Sequence, residues 1–70
     1  MQYLVIVEKG ATSYGAYVPD LPGCVTAAET EDLVRTRMQQ AIEFHLRSMR
    51  QDGDPIPEPT TTAVTVEVAA

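Results

Sequence analysis

One histidine and one cysteine are the residues best suited to acid–base or nucleophilic chemistry. Histidine is the side chain that ordinarily titrates near neutral pH, and His45 is the only one in the chain. It falls within an apolar helical stripe, which favours a packed, hydrogen-bonded core histidine. Cys24 follows a turn and could act as a thiolate nucleophile, but a lone cysteine is more typical of a small buried hydrophobe. The sequence contains no catalytic-triad spacing and no glycine-rich phosphate loop.

Carboxylates supply the remaining candidates for chemistry. A small nuclease or hydrolase would need Asp20, Glu29 and His45 to converge on one cleft, and the apolar setting of His45 speaks against this. One cysteine and one histidine are too few for a metal cluster unless carboxylates complete it. We therefore predict a protein that is not an enzyme and that uses no metal and no cofactor.

The charge of the chain is acidic and unevenly distributed. Its 70 residues hold ten Asp and Glu against five Lys and Arg, which gives a net charge of −5. Residues 31–52 carry four acids and four arginines, whereas the rest of the chain carries one lysine and six acids. Binding nucleic acid through its phosphates needs a basic face, so the composition argues against direct contact with DNA or RNA. The acids either keep the domain soluble or form a face for a basic protein partner.

The cellular compartment is predicted from features that the sequence lacks. A single cysteine excludes an internal disulfide framework. The longest apolar run, residues 4–7, is far shorter than the ~20 residues of a membrane span. Met1 is followed at once by a strand-like segment rather than by the charged and apolar regions of a signal peptide. We expect a cytoplasmic protein that does not contact a membrane.

Three short strands are predicted in the first 30 residues. Residues 2–8 are rich in β-branched and aromatic residues and apolar on both faces, which indicates a strand covered on both sides. A short turn joins them to a strand at 14–18, so the pair forms an antiparallel hairpin. A turn rich in Pro and Gly at 19–23 precedes a weaker strand at 24–28.

One long helix is predicted over residues 31–52. Thr30 is a suitable N-cap, and Gly53 suits the position just after the last turn. Leu33 and Phe44 lie away from the centre of its apolar stripe. At about 33 Å the helix is longer than a six-residue strand of about 20 Å, so it overhangs the sheet or packs on another subunit. The stripe comprises Val34, Met38, Ala41, Ile42, His45, Leu46 and Met49.

A proline-rich connector and a final strand complete the predicted fold. The connector covers residues 54–60, and the strand covers 63–68. Alternation within that strand places Val64, Val66 and Val68 on the inward face. The order is β-β-β-α-β: a single α+β domain with a small three- to four-stranded, mainly antiparallel sheet and one long helix.

The apolar surface exceeds what one helix can cover. Leu4 and Ile6 occupy the strand face opposite the one carrying Tyr3, and Leu33 and Phe44 form a patch on the flank of the helix. Exposed apolar patches mark interaction surfaces, and a chain this short has only a marginal core of its own. We predict a homodimer, or two dimers paired into a tetramer, with Leu4, Ile6, Leu33 and Phe44 in the interface.

Two motifs carry a family resemblance. Residues 14–24 read Tyr-Gly-Ala-Tyr-Val-Pro-Asp-Leu-Pro-Gly-Cys, and residues 52–59 read Asp-Gly-Asp-Pro-Ile-Pro-Glu-Pro. Together with residues 8–10, 30–32 and 41–46 they resemble the HicB antitoxin family. The resemblance covers nearly the whole chain in order.

The resemblance implies a fold and a partner that composition does not show. The family's N-terminal domain is similar to a partly degraded ribonuclease H fold. Its usual role is to bind and neutralise HicA, a small basic toxin that cleaves mRNA. Many members add a C-terminal DNA-binding domain, which this chain is expected to lack. Ribonuclease H chemistry needs clustered carboxylates, and the first strand has no acid in its middle.

We therefore predict an antitoxin-like protein that occludes a HicA-type toxin. The expected contacts lie exposed at the hairpin and the turn: Tyr14, Tyr17, Asp20, Leu21 and Glu29. An orphan oligomeric interaction domain without a toxin is the alternative, and a small nuclease or hydrolase is less favoured. The sequence leaves open which toxin is bound, whether the assembly is a dimer or a tetramer, and any indirect role in transcription.

Overall fold

The computed structural model describes residues 1–69, in which three strands precede one helix. The strands are β1 (Ile6–Lys9), β2 (Tyr14–Tyr17) and β3 (Val25–Ala28), and the helix is α1 (Glu31–Asp52). Both strand pairings are antiparallel, and the sheet order is β1-β2-β3. The predicted α+β class is confirmed, with β1 and β3 as the two edge strands.

The sheet has one face covered by the helix and one open face. Ala16 and Val18 are buried on the covered face, whereas Tyr17 between them is exposed. On the β1 side, Val5 and Val7 pack against the core. This alternation follows from the period-2 geometry of a strand. The covered face therefore carries odd-numbered residues of the first strand, such as Val7, and even-numbered residues of β2, such as Ala16, which lies opposite Val7.

The core lies under the first half of α1. Val34 and Met38 are its fully buried helical residues, whereas Ile42 and Leu46 pack against it only partly buried. The cause is length, because 22 helical residues span about 33 Å and a four-residue strand only about 13 Å. His45 is accordingly half-buried and outside the core cluster, so the prediction of a core histidine is wrong.

Backbone hydrogen bonds fold the β2–β3 turn tightly over the core. The amide of Leu21 donates to the carbonyl of Val18 at 3.1 Å, and the amide of Cys24 donates to the carbonyl of Leu21 at 3.0 Å. Gly23 adopts a φ of 83°, a left-handed conformation that suits glycine. The two successive bends direct the Leu21 side chain inward, where it is 1% exposed.

Both ends of α1 are closed by local interactions. The Thr30 hydroxyl accepts from the amide of Leu33 at 3.1 Å, as an N-cap does. At the other end Gly53 has a φ of 75°, and its amide donates to the carbonyl of Arg50. The amide of Asp54 donates to the carbonyl of Met49 at 2.9 Å. These contacts stop the helix and turn the chain back toward the sheet.

Residues 54–69 lie outside helix and strand, and two contacts hold their first part to the body. The Tyr3 hydroxyl donates to the carbonyl of Pro57 at 2.5 Å, and Asp20 accepts hydrogen bonds from Thr60 and Thr61. The strand predicted at 63–68 is not present in the part of the chain that the structure describes. The physical reason is that a strand exists only when its backbone pairs with another strand.

The strand predicted at 2–8 is shorter in the structure. Only Ile6–Lys9 pair with β2, and residues 2–5 lie outside any strand.

The molecule is elongated, with principal extents of 49 × 27 × 17 Å. Its radius of gyration is 14.0 Å, whereas a compact chain of this length has a value of about 11 Å.

Candidate partner-binding face

An apolar row crosses the open face of the sheet. The strand register places Ile6 opposite Tyr17 and Tyr17 opposite Val25. Adjacent strands lie about 4.8 Å apart, so the three side chains span about 10 Å. Tyr17 is 41% exposed and Val25 is 65% exposed. The row therefore forms a continuous apolar strip that α1 does not cover.

The next row on the same face is almost flat. Glu8 pairs with Gly15, and Gly15 pairs with Ala27. A side chain added at Gly15 would meet no atom within 4 Å, so no close neighbour requires a glycine here. The Gly15–Ala27 pair, which has only small side chains, lies between the apolar strip and the turn that joins β1 to β2. Glu8 supplies a carboxylate at the β1 edge of this row. Together the two rows form what we call the open face: Ile6, Glu8, Gly15, Tyr17, Val25 and Ala27.

The five residues predicted as partner contacts do not form one surface. Tyr17 and Glu29 are exposed, but the register separates them: Tyr17 pairs with Val25 at the start of β3, and Glu29 follows Ala28 at its end. Tyr14 is half-buried and packs against the core from the covered face. Leu21 is buried, so the prediction that it lies exposed is wrong.

Asp20 has a structural partner within the chain. Its two carboxylate oxygens accept four hydrogen bonds: from the Thr60 and Thr61 amides, each at 3.0 Å, and from their hydroxyls at 3.2 Å and 2.6 Å. The bonds from Thr61, followed by those from Thr60, hold the pKa of the Asp20 carboxyl below its ordinary value. This carboxylate therefore binds the connector instead of presenting a free charge.

Val25 is the surface residue that the sequence reasoning missed. The sequence predicts a weak strand at residues 24–28 and does not indicate which of its side chains are exposed. The signal that could have found it is alternation, because Cys24 is buried, Thr26 half-buried and Val25 exposed. Val25 lies directly across from Tyr17, and this pairing turns a single exposed tyrosine into a strip.

The described residues offer little to acid–base or metal chemistry. Burial raises the pKa of the Cys24 thiol, which disfavours the reactive thiolate. Among residues 1–69, no group of three or more His, Cys, Asp or Glu side chains is placed to hold a metal ion. Nor does any helix in that range combine the length and apolarity needed to cross a membrane.

Comparison with known proteins gives relatives in a phage and an archaeon. The chain is 34% identical over 58 residues to a 14.9 kDa protein from the rep-hol intergenic region of Haemophilus phage HP1, covering 83% of this chain and 44% of that protein. It is 35% identical over 57 residues to the UPF0150 protein of Archaeoglobus fulgidus, covering 77% of this chain and 83% of that one. The chain thus spans less than half the length of the phage protein. No solved structure matches it significantly.

A family model agrees with the motifs at 14–24 and 52–59. The model describes the HicB-like antitoxin of bacterial toxin–antitoxin systems, and it matches residues 3–69. The match includes all three strands, the helix and residues 53–69. This chain belongs to the HicB-like antitoxin family.

Proposed function

We propose that this domain binds and neutralises a HicA-type toxin by covering the toxin's functional surface with the open face. The observation that carries the proposal is the apolar strip formed by Ile6, Tyr17 and Val25 on the side of the sheet that α1 leaves bare. Tyrosine at the centre of such a strip is a frequent anchor of protein interfaces. Family membership supports the antitoxin role.

Charge supports the choice of a basic partner. Outside α1 the chain holds six acids and one lysine, and Glu8 lies on the open face beside the apolar strip. Complementary charge steers two proteins together and raises the rate of association. An acidic domain of this kind suits a small basic ribonuclease, which it would block sterically without chemistry of its own.

Self-association forms a further part of the proposal. Phe44 is 68% exposed and Leu33 is 38% exposed on α1. They are eleven residues apart, which places them on one flank of the helix about three turns apart. We propose this flank as a contact between copies in a dimer or tetramer, separate from the open face. Leu4 and Ile6 are half-buried, and of these Ile6 belongs to the strip assigned to the toxin.

The test uses a HicA-type toxin encoded beside this chain, with RNA cleavage as the readout. We expect the wild-type chain to inhibit cleavage, and Tyr17→Asp and Val25→Asp each to weaken toxin binding at least about 100-fold, because each places a charge within a desolvated contact. Thr36→Asp is the matched control, since it adds the same charge at an exposed position of α1 that lies outside both the open face and the Leu33–Phe44 flank, and it should inhibit like the wild type.

Three results would count against this assignment. Normal inhibition by both open-face variants would exclude the open face as the toxin contact. Failure of the wild-type chain to bind any basic protein encoded beside it would favour an orphan oligomeric domain. RNA cleavage by the purified chain itself, lost in Asp20→Ala, would favour an enzyme.

A further inference from the structure

The free edge of β1 borders a mainly apolar groove. The groove has a volume of about 420 Å³ and lies between the first strand and α1. Leu4, Val5 and Val7 line it from the strand side, and the helix contributes the apolar Met38 and Ile42 together with the charged Glu31 and Arg35. Because β1 is an edge strand, its outer backbone groups are available for pairing. An added strand with small apolar side chains on one face would fill this groove and extend the sheet.

The tail of the chain has the pattern that such a strand requires. Val64, Val66 and Val68 are 80%, 77% and 77% exposed, and polar Thr65 and Glu67 separate them. Three β-branched residues at alternate positions form one apolar face of a strand. We refer to residues 63–68 as the tail strand. It has the sequence of a strand and lacks a paired neighbour in residues 1–69.

The connector brings the start of the tail strand close to one end of the groove, because Leu4 lines both the groove and the depression beside the tail. Thr60 and Thr61 are fixed on Asp20 by four hydrogen bonds. The next two residues, Thr62 and Ala63, line a shallow depression shared with residues 2–4. The tail strand thus leaves the body beside the start of the first strand, and its valines remain in solvent. Three prolines within residues 55–59 stiffen the approach to this anchor.

We propose that two copies of this chain exchange their tail strands. Each tail strand adds to the free edge of β1 in the other copy, and its three valines enter the groove between that strand and α1. Six residues extend about 20 Å, which matches the stretch from Leu4 to Lys9 along the edge. Reciprocal exchange uses both edges and both tails, so the assembly closes as a two-fold dimer.

A second copy can occupy the strand edge that the chain's own tail leaves free. Within residues 1–69 the tail strand pairs with no other strand, and Val64, Val66 and Val68 are exposed. The exchange involves neither the open face nor a toxin, so its failure would leave the proposed toxin contact intact, and failure of the toxin contact would leave the exchange intact.

Hydrogen exchange on the full-length chain, without toxin, tests the proposal directly. The amides of residues 64–68 are followed by NMR at protein concentrations from 5 to 500 µM, about a hundredfold range. In the exchanged dimer, protection of these amides rises with concentration in step with the mass from sedimentation equilibrium. Protection of these amides in a sample whose mass is that of a single chain would mean intramolecular closure and would overturn the proposal. So would a dimer whose tail amides exchange freely.

A pair of variants separates the valine face from the rest of the tail. Val66→Asp places a charge in the groove, and we expect it to raise the dimer dissociation constant at least about 30-fold. Thr65→Asp puts the same charge on the opposite side of the tail strand, and we expect a change of no more than about threefold. Both positions are exposed in the single chain, so neither variant should alter its helix content by circular dichroism. An unchanged dissociation constant in Val66→Asp would overturn the proposal.

Discussion

Asp20 shows how a single side chain can determine the path of a whole segment. It lies in the β2–β3 turn, yet its carboxylate holds Thr60 and Thr61, forty residues further along the chain. Without this contact, the connector would be fixed to the body chiefly through the hydrogen bond between Tyr3 and Pro57. The direction in which the tail strand leaves the body therefore depends on one ionised group.

We predict that acid releases the connector from Asp20. Hydrogen bonds from Thr61 and Thr60 lower the pKa of the folded carboxyl, so their stabilisation is complete above the ordinary carboxyl pKa. It is lost as the pH falls through the lower, folded value. The Thr60 and Thr61 amide resonances should shift with a midpoint below that of an unperturbed aspartate.

Variants of Asp20 separate its charge from its hydrogen-bonding geometry. Asp20→Ala should give the released spectrum at every pH, and Asp20→Asn should remove the titration while keeping one acceptor oxygen. Glu29→Gln is the matched control, because Glu29 is an exposed acid just after β3. A Thr61 amide resonance that shifts neither with pH nor in Asp20→Ala would refute the assignment.

The sequence predicted a turn at residues 19–23 but not which atoms surround its side chains. Pro, Asp and Gly at positions 19–23 indicate a turn whatever the rest of the chain does. Whether Leu21 points inward depends on two backbone hydrogen bonds that compact the turn. The partner of Asp20 depends on a contact across forty residues, which no local pattern encodes.

Among the elements, α1 was the most predictable, because its signals are local. Thr30 and Gly53 mark its ends, and both caps are formed in the structure. The strand predicted at 63–68 failed for the opposite reason. Its alternating valines are a valid strand pattern, but a pattern cannot supply the neighbouring backbone that pairing requires.

The two faces of α1 should respond differently to substitution. Met38 is 1% exposed, so Met38→Ala should destabilise the fold by about 2–5 kcal/mol through lost burial and a cavity. Phe44 is mostly exposed, so Phe44→Asp should change unfolding by no more than about 0.5 kcal/mol while weakening self-association. Urea unfolding and sedimentation equilibrium measure the two effects. If Phe44→Asp leaves the assembly intact, the helix flank is not a contact between copies.

The whole molecule carries its excess charge outside the helix, and this has a kinetic consequence. The rate constant for association with a basic toxin should fall at least about tenfold between 50 and 500 mM salt, whereas dissociation should change little. Stopped-flow mixing measures both rates. Glu8→Gln on the open face should reduce the association rate more than Glu31→Gln on the charge-balanced helix. Equal effects of the two variants would contradict steering through the open face.

The projecting tail also affects how the molecule moves through water. Frictional drag rises with the longest dimension of a particle, and here that dimension is 49 Å against a width of 27 Å. A single chain should therefore elute from a gel-filtration column ahead of a rounder protein of equal mass. In the exchanged dimer each tail strand would lie along the other copy, which would shorten both copies. The elution volume of the dimer would then differ only slightly from that of the elongated single chain, although the mass has doubled. The number of chains is best counted by light scattering, which reports mass independently of shape.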